Sequence, residues 1–113
     1  PVRRYGSEKP DITLFVWGST KGPSLEALKL LKKEGIETRL VQVLYLEPFP
    51  VEELAPYLGG GEPKFLIENN STGQLDKLIK LHNGFTFKNL LLKYDGRQFF
   101  PGEIYEKAKE VLN

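Results

Sequence analysis

Two short polar segments hold most of the side chains in this sequence that are suited to binding a ligand. Each segment follows an apolar run and precedes an amphipathic helical pattern. Backbone amides at the start of a helix, together with the helix dipole, can bind an anion. The chemistry that these positions suggest is therefore recognition of a small anion or of a partner surface. The first segment consists of Gly18, Ser19, Thr20, Lys21 and Gly22, and the second consists of Glu68, Asn69, Asn70, Ser71, Thr72, Gly73 and Gln74.

Neither segment contains an established phosphate-binding motif. In the first, the lysine precedes the second glycine, so the spacing of a P-loop is missing, and no G-x-G-x-x-G pattern is present. Lys21 could add a positive charge to an anion site, or it could be an ordinary exposed lysine. In the second, Ser71 and Gln74 have the spacing of a capping box, which is worth about 1 kcal/mol. Capping does not account for Glu68, so ligand contact and a structural or interface role both stay open.

Catalytic and metal chemistry have few candidate residues. The chain has no cysteine and a single histidine, His82. The absence of cysteine excludes disulfides, thiolate chemistry and a cysteine-ligated iron–sulfur cluster within this chain. His82 lies on the apolar stripe of a predicted helix, so we expect a partly buried or capping histidine. A zinc or copper site would need carboxylates for nearly every ligand. We predict no catalytic residue and no metal ligand in this chain.

Composition describes an ordinary globular chain. It has 113 residues, 40% hydrophobic and 27% charged, with a formal net charge of +1. No global charge favours nucleic acid or an anionic membrane, no apolar run approaches the roughly 18 residues of a membrane span, and no signal peptide is recognisable. We expect one domain covering residues 1–113, without nucleic-acid or membrane partners. Because the chain starts at Pro1 and lacks methionine, we expect processing or a fragment of a longer chain.

The elements that must position the polar segments alternate between strands and helices. Such alternation predicts an α/β fold with a mainly parallel sheet covered on both faces. The predicted strands cover 11–17, 36–43, 64–68 and 89–94, and the predicted helices cover about 25–34, 51–58, 72–82 and the end of the chain from Pro101.

Local signals set several boundaries. Ser24 is the expected N-cap of the first helix, and Gly35 the glycine that ends it. Pro56 is expected to cut or distort the second helix, whereas Pro101 can occupy the first position of the last. Asp95-Gly96 predicts a hairpin turn between strands at 89–94 and 97–100. Near that hairpin, Phe99 and Phe100 are expected in the core or on a docking surface.

Right-handed crossovers favour the parallel order 36–11–64–89, with each strand named by its first residue. In that order the chain leaves the strand at 11–17 in one direction and returns on its other side. Ligands of open α/β sheets bind in the crevice at such a switch point, at the carboxyl ends of the strands. The two polar segments follow the strands 11–17 and 64–68, so both are predicted to face this crevice.

Four stretches together resemble a known family. They are "VWGSTKG…LEAL", "GIETRLVQVLYLEPFP", "IENNSTGQL" and "KYDGRQFFPGEI", and they are similar to the carboxyl-terminal domain of the alpha subunit of 2-oxoacid:ferredoxin oxidoreductases. The similarity runs from about residue 11 to 112. It implies the transketolase carboxyl-terminal fold, a three-layer α/β/α sandwich with a mostly parallel five-stranded sheet. An antiparallel amino-terminal edge strand belongs to that fold, and "VRRY" at residues 2–5 suits it.

The resemblance also implies a parent enzyme. Such enzymes decarboxylate a 2-oxoacid on thiamine diphosphate, pass electrons through an iron–sulfur cluster to ferredoxin, and form an acyl-CoA. They are cytoplasmic and typical of anaerobic metabolism. Thiamine diphosphate, magnesium and the iron–sulfur cluster are expected in other domains and subunits, so this chain is expected to bind no cofactor and to be inactive alone. Its expected partners are the remaining domain of the alpha subunit, the beta subunit and, as a further candidate, a second alpha subunit, while ferredoxin and coenzyme A belong to the whole enzyme.

A different class of function stays open beside this one. A free-standing α/β module could bind an anionic ligand such as coenzyme A or a flavin nucleotide in the same crevice. A flavin module needs a phosphate loop after the first core strand, which the first polar segment approximates loosely. A receiver-like module is disfavoured, because Gly18 stands where its aspartate is required and Asp11 lies at the opposite end of the strand.

Overall fold

The computed structural model describes residues 2–17, 21–68, 74–93 and 99–113. None of the helices in these ranges has the length and apolar character needed to cross a membrane. The elements in chain order are β1 (Val2–Gly6), β2 (Ile12–Trp17), α1 (Lys21–Lys33), β3 (Thr38–Val43), α2 (Val51–Leu58), β4 (Lys64–Glu68), α3 (Gln74–Asn83), β5 (Leu90–Leu92) and α4 (Pro101–Leu112).

The strands form one five-stranded sheet in the order β1-β3-β2-β4-β5. β1 pairs with β3 in antiparallel register, and the other neighbours are parallel. The predicted parallel order is therefore confirmed, and so is the antiparallel strand at the amino terminus. We call the edge where β2 to β5 end the carboxyl edge, and the edge where they begin the amino edge.

Alternate side chains of the strands build a core on each face of the sheet. On one face Leu14 packs with buried residues of α1 and α4, including Leu31 and Ile104. On the other face Phe15 packs with α2 and α3, including Leu54. Burying each such side chain contributes about 1.5–3 kcal/mol to the free energy of folding. Because each face of the sheet has its own core, helices pack on both faces. The three-layer α/β/α sandwich is thus confirmed.

The first helix begins earlier than the sequence pattern indicated. It starts at Lys21, so the expected N-cap Ser24 is wrong: this residue lies inside α1 and is fully buried. Pro23 permits the early start, because the first turn of a helix needs no amide donor there. Gly35 ends the helix as predicted, with a φ of +80° and its amide donating to the carbonyl of Lys32 at 2.9 Å.

The second helix has the predicted bounds, and the third helix is only partly covered by the described residues. α2 covers Val51–Leu58, so its predicted bounds of 51–58 are confirmed. The helix continues through Pro56, so of the two expected effects of this proline, a cut in the helix is wrong. Leu54 and Leu58 are both buried, and their packing holds the last turn against the sheet despite the missing donor. The third helix was predicted to start at 72, but residues 72 and 73 lie outside the described part of the chain. Within the described part, α3 begins at Gln74 and ends at Asn83.

The predicted hairpin near the end of the chain is only partly covered by the structure. Asp95 and Gly96 lie outside the described residues, and β5 is limited to Leu90–Leu92. Phe99 and Phe100 belong to no strand, so a second hairpin strand through these two positions is wrong. Phe99 is instead buried in the core shared by α1 and α4, while Phe100 is the exposed N-cap residue of α4. Pro101 is the first residue of that helix, as predicted.

Candidate functional site

The two polar segments start from the same edge of the sheet. β2 and β4 are parallel neighbours, so Trp17 and Glu68 end their strands side by side at the carboxyl edge. Lys21, Gly22, Glu68 and Gln74 are the members of the segments that the structure describes. The remaining predicted site residues lie outside the described part: Gly18, Ser19, Thr20, Asn69, Asn70, Ser71, Thr72 and Gly73.

Glu68 is used to hold the start of α3. Glu68 is only 2% exposed, and its two carboxylate oxygens accept the backbone N–H of Leu75 at 3.0 and 2.9 Å. One of these oxygens also accepts the N–H of Asp76 at 3.4 Å. These amides belong to the first turn of α3, whose N–H groups have no partner within the helix. Glu68 therefore caps a helix that starts six residues after it.

This cap changes what the second polar segment can bind. A helix N-terminus attracts an anion because its amides and dipole are unsatisfied, and here a buried carboxylate already satisfies two of the amides. A second unit of negative charge about 4 Å away would be repelled by about 4 kcal/mol at an effective dielectric constant of 20. The described part of this segment therefore disfavours a phosphate at the start of α3.

The first polar segment places its charge elsewhere. The ammonium of Lys21 lies 5.6 Å from the centre of the Tyr5 ring, on the outer strand β1. It therefore points away from β4, and the side chain of Glu68 lies beneath α3 on the other face of the sheet. Gly22 has open space where a side chain would begin, so no close backbone approach requires a glycine there. Lys21 and Glu68 share an edge but do not converge on one point.

The sequence pattern did not predict an ion pair between Lys93 and Glu103 at the carboxyl edge. The ammonium of Lys93, just after β5, donates to Glu103 of α4 at 2.8 Å. The same carboxylate oxygen accepts the backbone N–H of Phe100 at 3.0 Å. Lys93 is also tied to β4, because its own backbone N–H donates to the carbonyl of Glu68 at 3.2 Å. A glutamate two residues after Pro101 was the available sequence signal, since it occupies the N3 position of the helix.

A second ionic cluster lies at the amino edge. Thr13 of β2 is the register partner of Arg39 on β3 and of Lys64 on β4, so the three side chains form a row across the sheet. The carboxylate of Glu62 lies over this row. It accepts from the Thr13 hydroxyl at 2.7 Å and from the Arg39 guanidinium at 3.1 Å, and the Lys64 ammonium is 3.7 Å away. The side chains of the three charged residues are 11%, 13% and 6% exposed, respectively.

These contacts favour the ionised form of Glu62. Burial alone would raise the pKa of this carboxyl, but the hydrogen bond from Thr13 and the charges of Lys64 and Arg39 act in the opposite direction. The pKa of Glu62 consequently lies below the usual value for glutamic acid. Lys64 also donates to the carbonyl of Gly60 at 2.6 Å, which fastens the glycine-rich turn before β4 to the sheet. Strand register brings Thr13, Arg39 and Lys64 together, and Glu62 joins them from the turn before β4, so no local pattern in the sequence predicted the cluster.

Within the described residues, two clefts lie at the amino edge. The first has a volume of about 300 Å³ between the end of α1 and the start of β3, near Leu28 and Thr38. The second has a volume of about 390 Å³ beneath the starts of β4 and β5. Both are at the opposite edge of the sheet from the two polar segments.

The structure shows the surroundings of His82 and the grouping of acidic side chains in the described part of the chain. His82 is exposed and stacks on Phe49, with 5.0 Å between ring centres, so the expected partial burial is wrong. Asn83 takes the inward position at the end of α3 instead, four residues after buried Ile79, and its amide nitrogen donates to the carbonyl of Val51 at 3.1 Å. Among the described residues, no group of three or more histidine, aspartate or glutamate side chains could hold a metal.

Comparison with known proteins gives consistent matches. Residues 3–72 match the sequence family described as the transketolase C-terminal domain. The chain is 33% identical over 111 residues to the 2-oxoacid:ferredoxin oxidoreductase subunit alpha of Saccharolobus solfataricus, and 34% identical over 108 residues to the alpha subunit of oxidoreductase 2 of Aeropyrum pernix. These matches cover 98% and 96% of this chain but only 18% and 17% of the relatives. The chain thus spans less than a fifth of their length.

Solved structures extend the comparison. The 2-oxoglutarate:ferredoxin oxidoreductase of Magnetococcus marinus superposes with a TM-score of 0.87 at 26% identity, over the whole of this chain and 20% of that one. The alpha chain of a probable 2-oxoacid ferredoxin oxidoreductase from Thermoplasma acidophilum superposes with a TM-score of 0.70 at 39% identity. That match covers 99% of this chain and 97% of the Thermoplasma chain, so the two have nearly the same length.

Proposed function

The chain belongs to the transketolase C-terminal domain family, and from this premise we propose that it is the non-catalytic assembly domain in the alpha subunit of a 2-oxoacid:ferredoxin oxidoreductase. The assembled enzyme would convert a 2-oxoacid to an acyl-CoA by oxidative decarboxylation and reduce ferredoxin. Support comes from alpha-subunit relatives that match almost all of this chain with less than a fifth of their own length.

The role of the buried charges carries the non-catalytic part of this proposal. Two ionisable residues are buried in the described part, Glu68 and Lys64. Each bonds to backbone groups, Glu68 to the start of α3 and Lys64 to the carbonyls of Gly60 and Glu62. Active sites typically hold buried titratable groups that are free to exchange a proton with a substrate. Here both buried charges hold the chain in its folded shape.

The residues that the structure describes offer no group suited to the cofactors of the parent enzyme. An iron–sulfur cluster needs thiolate ligands, and the sequence has no cysteine. A magnesium-bound diphosphate needs carboxylate or carbonyl oxygens that converge on the ion, and no such group of acidic side chains occurs in the described ranges. We propose that other parts of the enzyme bind these cofactors, and we route no chemical step through this domain.

Deleting this segment from the alpha subunit tests the proposal. The shortened and the complete subunit are each co-expressed with the beta subunit, and the complexes are compared by native mass spectrometry and by turnover of a 2-oxoacid. The complete subunit should form the full complex, and the shortened one should fail to form it or should lose most of its turnover. A shortened subunit that assembles and turns over normally would contradict the proposal.

A further inference from the structure

The larger cleft at the amino edge has the dimensions of a small-molecule site. Its volume is about 390 Å³, within the range of roughly 300–1,000 Å³ that is usual for ligand pockets. We call it the Lys88 groove. It lies beneath the starts of β4 and β5, at the opposite edge of the sheet from both polar segments. It is lined by Gly61, Glu62, Pro63, Lys64, Phe85, Thr86, Lys88, Asn89 and Val111.

The wall of the groove carries an excess of positive charge. Glu62 is the one carboxylate in the ionic cluster behind it, and it is shared between the guanidinium of Arg39 and the buried ammonium of Lys64. The Nε atom of Arg39 is buried and has no hydrogen-bond partner among the described residues. Lys88 adds a positive charge on the rim, so the three charged side chains of the lining, Glu62, Lys64 and Lys88, sum to +1. In surroundings of low dielectric constant, such an excess attracts an anion more strongly than it would in water.

The rim offers side chains that could bind the ligand directly. Within the part of the chain that the structure describes, the side chains of Thr86, Lys88 and Asn89 make no hydrogen bond, and Lys88 is exposed. Phe85 and Val111 supply apolar wall on either side. A ligand that matches this lining has one anionic end and one apolar end.

The number of accessible charges selects a single negative charge. Lys64 lines the groove, but its ammonium already donates to the carbonyls of Gly60 and Glu62 at 2.6 and 2.9 Å. Lys88 is therefore the one lysine of the groove whose ammonium is open to a ligand. One accessible ammonium, with a hydroxyl and an amide in the same lining and a net lining charge of +1, matches the charge of a monocarboxylate.

We propose that the Lys88 groove binds a small organic monocarboxylate. The carboxylate group lies at Lys88, with Thr86 and Asn89 as further hydrogen-bond donors. The apolar part of the molecule lies against Phe85 and Val111. The site uses the edge of the sheet opposite the polar segments, involves no residue of either segment, and is proposed independently of the assembly role.

Nuclear magnetic resonance with labelled protein tests the site. Hexanoate, hexanamide and acetate are each titrated into the nitrogen-15-labelled chain at constant ionic strength. Hexanoate should cause saturable shifts of the amides around residues 61–64 and 85–89. Hexanamide lacks the charge and acetate lacks the apolar chain, so each should bind at least about fivefold more weakly. Equal binding of hexanoate and hexanamide, or shifts confined to the carboxyl edge, would overturn the assignment.

A pair of lysine variants identifies the ammonium that matters. Lys88→Met should weaken hexanoate binding by about fivefold or more, because the charge-assisted contact is lost. Lys80→Met is the matched control, since Lys80 is also exposed but lies on α3 and outside the groove. It should leave hexanoate binding unchanged. The absence of saturable binding in the unmodified chain, or equal effects of the two variants, would rule the site out.

Discussion

The carboxylate of Glu68 accepts the backbone N–H of Leu75 through both of its oxygens, at 3.0 and 2.9 Å. This contact joins the end of a central strand to the first turn of the following helix. The Glu68 carboxylate thereby occupies the start of α3, the position at which the helix amides would otherwise attract an anion. The sequence pattern assigned Glu68 to ligand binding or an interface, and its contacts in the structure are those of a helix cap.

Removing this cap should lower stability. Glu68→Gln keeps the size of the side chain but loses its charge and one of the two equivalent acceptors. We expect the free energy of unfolding to fall by about 2 kcal/mol, as is typical for hydrogen bonds to a charged group. Urea titration at neutral pH measures this. Glu106→Gln, at an exposed position on α4, is the control and should change stability by less than about 0.5 kcal/mol. Equal midpoints for both variants would show that the cap is unimportant.

The cluster around Glu62 should make stability depend on acidity. Because its pKa is lower in the folded protein than in the unfolded chain, ionised Glu62 stabilises the fold above the usual pKa of a glutamic acid. That contribution is lost as the pH falls through the lowered pKa. Urea midpoints measured from pH 7 to about pH 3 should therefore fall less steeply in Glu62→Gln than in the unmodified chain. Parallel curves would contradict this role.

The same variant should also be destabilised at neutral pH. Glu62→Gln leaves the largely enclosed cations of Arg39 and Lys64 without a charged partner, and breaking such a pair on one side costs about 3 kcal/mol. The exposed variant Glu106→Gln again serves as control. If Glu62→Gln unfolds at the midpoint of the unmodified chain at pH 7, the cluster does not stabilise the amino edge.

Gly6 should be intolerant of any side chain. Its φ is +90°, and a Cβ atom there would lie 2.2 Å from the backbone carbonyl oxygen of Thr38. We expect Gly6→Ala to lower the free energy of unfolding by about 2–4 kcal/mol, from the left-handed backbone together with the clash. Gly102→Ala is the matched control, because a Cβ at this helical position meets nothing within 4 Å. It should be neutral or slightly stabilising. Thermal unfolding of the two variants decides between these outcomes.

The pair between Lys93 and Glu103 should couple the end of β5 to α4. The lysine side chain is 18% exposed and the glutamate 35%, so solvent screens the pair and we expect a coupling energy of about 1 kcal/mol or less. A double-mutant cycle with Lys93→Met and Glu103→Gln measures this energy. It should shrink when salt is raised to about 1 M. A coupling energy of zero at low salt would mean that the two side chains act independently.

The sheet and its strand order could be predicted from the sequence because they follow from local periodicity and one handedness rule. Gly35 and Pro101 were placed correctly since each ends or starts a helix through its own backbone preference. The early start of α1 was missed because Ser24 has the residue type of an N-cap, although Pro23 before it is compatible with the first turn of a helix. Local signals thus gave the elements but not all of their limits.

The contacts that define the polar sites depend on the folded structure. Glu68 reaches amides seven and eight residues further along, a spacing that no short motif contains. Thr13 meets Arg39 and Lys64 only through strand register, and Glu62 joins them from a turn. The contacts of Thr13 depend on which residues of neighbouring strands are paired, and hydrophobic periodicity within one strand does not specify that pairing.

Binding of the separate chain to an alpha subunit that lacks this segment tests the central proposal most directly. Sedimentation velocity can follow the fluorescently labelled 113-residue chain as it is mixed with the shortened alpha subunit and the beta subunit. An assembly domain should sediment with the complex in a saturable manner and should restore its turnover, while converting no 2-oxoacid alone. A chain that sediments alone at every concentration, or that turns over a 2-oxoacid unaided, would contradict the account.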